Sequence, residues 1–148
     1  MIPYLHYFTT MYIYFYSNSK GAAMIVQRRI LDRLTKRDTQ LFCDFGSESQ
    51  HPFNAISENY DLQFRPVLPD IDLFILDFTD KKKDLKFIVA KASILQKNIL
   101  CLCSSTYNDN CFNSLRKWQN NNLVMHEYTY ESIDEIINSF LQKIVKDT

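Results

Sequence analysis

Short apolar runs alternate with helical patterns along this chain. The apolar runs lie at residues 11–16, 41–45, 72–78, 99–103 and 123–126. The run 72–78 is apolar at almost every position, which is typical of a central parallel strand buried on both faces. Because parallel strands need a crossover between them, the alternation predicts a three-layer, Rossmann-like α/β domain with a mostly parallel sheet of about five strands. Leu73, Ile75, Ile99 and Leu100 are predicted to be central in that sheet.

Helical periodicity fills the intervals between these runs. A first helix is predicted over about residues 22–37, and a short one from Ser57 through Leu62. The next helix has apolar residues at helical spacing, with Asp84 as its N-cap: Leu85, Ile88, Val89, Ala92 and Leu95. The residues 132–135 form a capping box that begins a final amphipathic helix. No linker or repeat divides the sequence, so we predict a single domain over 1–148, with 1–10 as an aromatic N-terminal extension.

The charge balance and the cysteines indicate which partners the protein can bind and in which compartment it is found. The chain has 17 basic and 17 acidic residues, so no global field favours nucleic acid or an anionic membrane. The four cysteines lack a CxxC pair and the three histidines are scattered, which predicts free thiols, no metal site and a reducing, cytoplasmic location. The apolar N-terminal segment is too short and polar to span a bilayer, so no membrane association is expected.

Phosphate-binding loops are poorly supported by the composition. Gly21 and Gly46 are the only glycines, and such loops use glycine for close backbone approach. The lysine run 81–83 is interpreted as a solvated turn, with contact to a phosphate backbone as the minority alternative.

One segment carries a family resemblance. An apolar strand ending in Thr79, a turn, the helix LKFIVAKA, then Gln96-Lys97 and the strand ILCL resemble the nucleoside 2-deoxyribosyltransferase superfamily, and most closely its 2'-deoxynucleoside 5'-phosphate N-hydrolase branch. The resemblance implies a Rossmann-like fold, cleavage of an N-glycosidic bond and a homodimer. The catalytic glutamate of that family falls on Ile88, and its preceding glycines fall on Asp84 and Lys86.

The same resemblance implies a set of ligand-binding positions. The first strand and its glycine-bearing loop supply some of them, an acidic residue would hold the sugar, and an aromatic residue and a phosphate-binding position complete the set. These positions are Tyr14, Tyr16, Lys20, Gly21, Asp61, Thr79, Phe87 and Asn113.

The residue at the nucleophile position decides between two functions. A carboxylate must attack the anomeric carbon and stabilise the developing charge, and an isoleucine can do neither. We therefore expect a pseudoenzyme that binds a nucleoside monophosphate, a protein or a ribonucleoprotein, without cofactor, as a homodimer or in a complex with another protein. Asp77, Asp80 and Asp84 lie near the carboxyl end of the strand, where α/β folds place ligands. The alternative is an active nucleotide N-hydrolase or deoxyribosyltransferase in which one of these acids, Asp80 or Asp84 above all, replaces the lost carboxylate.

Overall fold

The computed structural model describes residues 11–18, 23–35, 39–45, 70–81 and 83–147. The strands are β1 (Met11–Tyr16), β2 (Thr39–Asp44), β3 (Leu73–Asp77), β4 (Asn98–Ser104) and β5 (Leu123–Tyr128). The helices are α1 (Ala23–Thr35), α2 (Leu85–Ile94), α3 (Asn110–Ser114), a 3-10 turn (Leu115–Trp118) and α4 (Ile133–Asp147). Within this part of the chain, none of the helices has the length and apolar character needed to cross a membrane.

The strands form one parallel sheet in the order β2-β1-β3-β4-β5. This confirms the predicted three-layer α/β domain, and β3 is the middle strand, as its doubly apolar sequence predicted. The order reverses between β1 and β3, because the chain first moves outward to β2 and then returns to the other side of β1. In doubly wound sheets of this order, ligands bind at that switch point, beyond the carboxyl ends of the strands.

Alternating side chains of the strands supply two separate cores. One core holds Ile13, Phe15, Leu73 and Ile75 against α1 and α4. The opposite core holds Phe74, Leu76, Ile99 and Cys101 against α2, α3 and the 3-10 turn. Such burial on both faces fixes the strand register, since a slip by one residue would exchange the two cores.

Some predicted features differ from the structure or fall outside the part it describes. The predicted aromatic extension 1–10 and the predicted short helix 57–62 lie outside the described residues. The last strand continues to Tyr128, two residues beyond the predicted apolar run. The Ser132 hydroxyl accepts a hydrogen bond from the Thr129 amide at 2.9 Å, so it ties the loop before α4 to the helix start.

Candidate functional site at the carboxyl edge of the sheet

Polar residues follow the apolar strands where these reach the carboxyl edge. Ser17 and Asn18 follow β1, Asp77 ends β3, Ser104 ends β4 and Tyr128 ends β5. Because parallel strands end together, these side chains gather around the switch point. The edge is therefore the candidate site.

Asp77 lies at the centre of this edge and is almost completely buried, with 3% of its surface exposed. Its Oδ1 accepts a hydrogen bond from the Thr79 amide at 3.0 Å, and its Oδ2 accepts one from the Tyr128 hydroxyl at 2.9 Å. The Thr79 hydroxyl lies 3.2 Å from the Tyr128 hydroxyl and accepts from the Ser104 amide at 2.8 Å. We call this the Asp77 network; it joins the carboxyl ends of β3, β4 and β5.

Burial has the largest effect on the pKa values of Asp77 and Tyr128. Desolvation raises the pKa of Asp77 to about 6, against the hydrogen bonds from Thr79 and Tyr128, which favour the ionised form. Burial and the neighbouring Asp77 charge raise the pKa of Tyr128, so its hydroxyl keeps its proton and acts as a donor. The Asp77 carboxylate is therefore shielded from solvent, and each of its two oxygens accepts a hydrogen bond.

The Ser17 hydroxyl is the least satisfied group at the edge. It lies beside Asp77 and favours the ionised carboxylate, yet it completes no hydrogen bond of standard geometry within the described structure. The residue is 1% exposed. The backbone carbonyl of Ser17 accepts a hydrogen bond from the side-chain amide of Gln27 at 3.4 Å, and this bond links α1 to the end of β1.

The loops on either side of the switch point are tied together directly. The Asn18 side-chain amide, itself buried, donates to the backbone carbonyl of Asp80. Asp80 has a left-handed backbone with φ of 49°, a conformation that aspartate tolerates better than most residues. The contact crosses the groove between the β1 and β3 loops.

A second link closes the edge on the side of α2. Lys83, in the loop after β3, forms an ion pair with Asp44 at the end of β2. The Tyr14 hydroxyl donates to the same Asp44 carboxylate at 2.9 Å, and burial followed by that charge raises the pKa of Tyr14. The described residues therefore span the switch point with their own polar groups.

The described part of the chain also brings together no group of three or more His, Cys, Asp or Glu side chains suited to a metal ion.

The sequence-predicted ligand positions do not form one pocket in the described structure. Thr79 belongs to the Asp77 network and Tyr14 to the Lys83–Asp44 link, while Tyr16 is fully buried in the core beneath α2. Phe87 lies on the outer surface of α2 and is 57% exposed. Asn113 lies in α3, where its amide donates to Asn108 at 2.9 Å. The other three, Lys20, Gly21 and Asp61, lie outside the described residues.

The residues considered for the nucleophile have structural roles. Ile88 is half-buried and packs against the core beneath α2. Asp84 is the N-cap of α2, and its carboxylate accepts from the Phe87 amide at 3.2 Å. The Asp80 backbone accepts the Asn18 contact.

The cysteines are free thiols with raised proton affinity. Burial raises the pKa of Cys43 to about 12 and that of Cys103 to about 11, and it also raises the pKa values of Cys101 and Cys111. Because the thiolate is the reactive form, none of the four is prepared to act as a nucleophile near neutral pH.

Thr79 is the one member of this site that the sequence predicts as a ligand-binding position with a place in the Asp77 network. Asp77 was recognised only as one of several acids near a strand end, and Ser17, Asn18, Ser104 and Tyr128 were not selected. The available signal was positional, since each of them is a polar or hydroxyl-bearing residue at the end of an apolar run.

Comparison with known proteins returns structures and no sequence family. No protein-family model and no curated protein sequence matches the chain. It is similar to a response regulator receiver domain protein from Clostridium thermocellum, with a TM-score of 0.48 and 12% identity over 93% of this chain and 99% of that one. It is also similar to a CheY-like response regulator from Mesorhizobium loti, with a TM-score of 0.44 and 13% identity over 90% of this chain and 98% of that one.

The predicted membership of the nucleoside 2-deoxyribosyltransferase superfamily is therefore wrong, and so is the N-glycosidase pseudoenzyme function that rested on it. The two solved structures named above are receiver domains, a different fold family, and no family model supports the resemblance. The physical reason is that the resemblance rested on a strand–helix–strand unit. A buried strand, an amphipathic crossover helix and a second buried strand occur in any doubly wound sheet.

Proposed function

We propose that this protein is a non-enzymatic binding domain whose partner is another protein. The observation that carries the proposal is that the described part of the carboxyl edge is closed, where α/β enzymes keep an open crevice for substrate. Asp77 is buried with both oxygens bonded, and the Asn18 and Lys83 contacts cross the switch point. A general base or nucleophile must reach its substrate, and this carboxylate has no open side in the described structure.

Two alternatives have less support. A nucleoside monophosphate would need an open, donor-rich loop at this edge, whereas the Asn18 amide, the Tyr128 hydroxyl and Lys83 already have partners within the chain and the Ser17 hydroxyl is buried. A ribonucleoprotein would favour a basic surface, but the chain as a whole is neutral. A homodimer stays a prediction. Four free thiols support a reducing compartment such as the cytoplasm, where we place the domain.

An isosteric substitution in the native host tests this proposal. Asp77→Asn keeps the shape of the side chain and removes its charge, so any chemistry that depends on this carboxylate would be lost. We expect the folded variant to restore the wild-type phenotype in a deletion strain and to co-purify with the same proteins. Loss of the phenotype in a variant with unchanged circular dichroism and unchanged partners would show that Asp77 does chemistry, and it would overturn the proposal.

A further inference from the structure

The outer surface of α2 carries large apolar side chains that are exposed in the part of the chain that the structure describes. Ile94 is 79% exposed, Phe87 57% and Leu95 40%. Phe87 and Ile94 are seven residues apart and lie in one row along the helix, and the C-cap Leu95 lies beside the end of that row. Leu85, Val89 and Ala92 bury the opposite face in the core. We call Phe87, Ile94 and Leu95, together with the neighbouring Lys86 and Lys91, the α2 surface.

The charge beside this row has one sign. The stretch LKFIVAKASILQK, residues 85–97, contains three lysines and no acidic residue. Lys91 lies over the Phe87 ring at 5.3 Å, and Lys86 lies over the Trp118 ring at 5.5 Å. Neither Lys86 nor Lys91 takes part in any of the ion pairs seen among the described residues. The aromatic contacts therefore hold Lys91 against the apolar row itself and Lys86 to one side of it, over Trp118.

We propose that the α2 surface docks an acidic amphipathic helix of a partner protein. A helix laid along α2 would cover Phe87, Ile94 and Leu95 with its own apolar positions. Its flanking glutamates or aspartates would meet Lys86 and Lys91, which gives the charge complementarity that selects a partner. The inference rests on the proposed function, since it names the chemistry of the protein partner.

Two other occupants fit the surface less well. A second copy of the chain, related by two-fold symmetry, would bring one lysine-bearing surface against another, and like charges at an interface oppose association. A membrane-lying helix needs a broad apolar face to enter the headgroup region. On α2 three large apolar side chains are exposed, and Lys91 lies over the Phe87 ring among them, so this apolar face is narrow and interrupted by charge.

A displayed peptide library tests the inference directly. The library would present helical peptides with apolar residues at one seam and Glu, Gln or Lys at random in the flanking positions. We expect selection on the wild-type domain to enrich peptides rich in Glu. Selected peptides should bind Ile94→Asp at least about tenfold more weakly than wild type, as expected for loss of an interface anchor. Lys91→Glu should weaken the acidic peptides and favour those with Lys.

Ile25→Asp is the matched control variant. Ile25 is 52% exposed on α1, a helix of the opposite layer, so the same substitution tests added charge at an unrelated exposed site. Its affinity for the selected peptides should stay within about twofold of wild type, the expectation for a residue outside the interface. Circular dichroism of each variant shows whether it is folded.

Several outcomes would overturn the inference. Enrichment of neutral or basic peptides, no enrichment, or equal binding by Ile94→Asp would each do so. Self-association in analytical ultracentrifugation that Ile94→Asp abolishes would assign the surface to a second copy. Binding to phosphatidylserine vesicles that Ile94→Asp abolishes would assign it to a membrane. The Asp77→Asn experiment stays separate, because that substitution lies at the carboxyl edge and leaves the α2 surface intact.

Discussion

A single buried carboxylate organises the carboxyl edge. Asp77 stands at the end of the central strand, where burial opposes its ionisation and hydrogen bonds from Thr79 and Tyr128 support it. The family resemblance gives Thr79 as a ligand-binding position, and the apolar run 72–78 indicates that Asp77 lies near the carboxyl end of a strand. The sequence could not identify Tyr128 as the partner, because that contact spans 51 residues and depends on the order of three strands.

The raised pKa of Asp77 makes stability depend on pH in a direction opposite to that of most carboxylates. Because the folded-state pKa is about 6 and the ordinary value is 3.8, folding takes up a proton between these values. The contribution of Asp77 is therefore greatest below pH 3.8 and decreases as the pH rises towards 6. We expect the stability of wild type relative to Asp77→Asn to fall by at most about 3 kcal/mol from pH 4 to pH 7. Urea denaturation of both proteins at the two pH values measures this, and an unchanged difference would contradict it.

The Tyr128 hydroxyl donates a hydrogen bond of 2.9 Å to the Asp77 carboxylate. Tyr128→Phe removes the hydrogen bond to Asp77 and the contact with Thr79 while keeping the ring in the core. We expect a loss of about 1–3 kcal/mol at pH 7, because the buried carboxylate is left short of a donor. Tyr107→Phe, at an exposed position, is the control and should lie within about 0.5 kcal/mol of wild type in the same urea experiment. Equal stability of the two variants would show that the Tyr128 bond is unimportant.

At the scale of elements, periodicity predicted the strands and helices with small shifts at their ends. β1 has the predicted bounds, and α2 begins at the predicted Leu85. The shifts follow from tertiary contacts: β5 extends to Tyr128 because pairing with β4 continues through Ser104. Local patterns locate a buried element well, but its last residues depend on neighbours that only the fold supplies.

Asp84 connects the sequence interpretation to the structure of α2. It was considered as a substitute nucleophile, yet its carboxylate caps the helix by accepting from Phe87. Asp84→Ala should lower the free energy of unfolding by about 1 kcal/mol, and Asp84→Asn by a few tenths at most, because asparagine also caps. Thermal or urea unfolding compares them. If Asn is as harmful as Ala, the charge of Asp84 matters beyond capping.

At the scale of the whole molecule, the fold could be predicted and the family could not. Alternating buried runs specify a doubly wound sheet, but many unrelated proteins share that pattern. The α2 helix shows the difference. Its inner face packs in the core, as its periodicity predicts, whereas Ile88, at the position of the nucleophile in the resembled family, shows only that no carboxylate is present there. Function therefore has to be argued from the edge and the surfaces, where Asn18, Lys83 and Tyr128 close the switch point and Ile94 lies uncovered.

The closed edge is the central claim, and an NMR titration tests it most directly. Backbone amide resonances of Ser17, Asn18, Thr79 and Ser104 would be followed while a panel of nucleoside monophosphates and inorganic phosphate is added, each with and without magnesium. A closed switch point predicts no saturable shift at these amides up to about 1 mM ligand, a weak-binding limit. Saturable shifts confined to these amides, and lost in Asp77→Asn, would show an open ligand site and contradict the account.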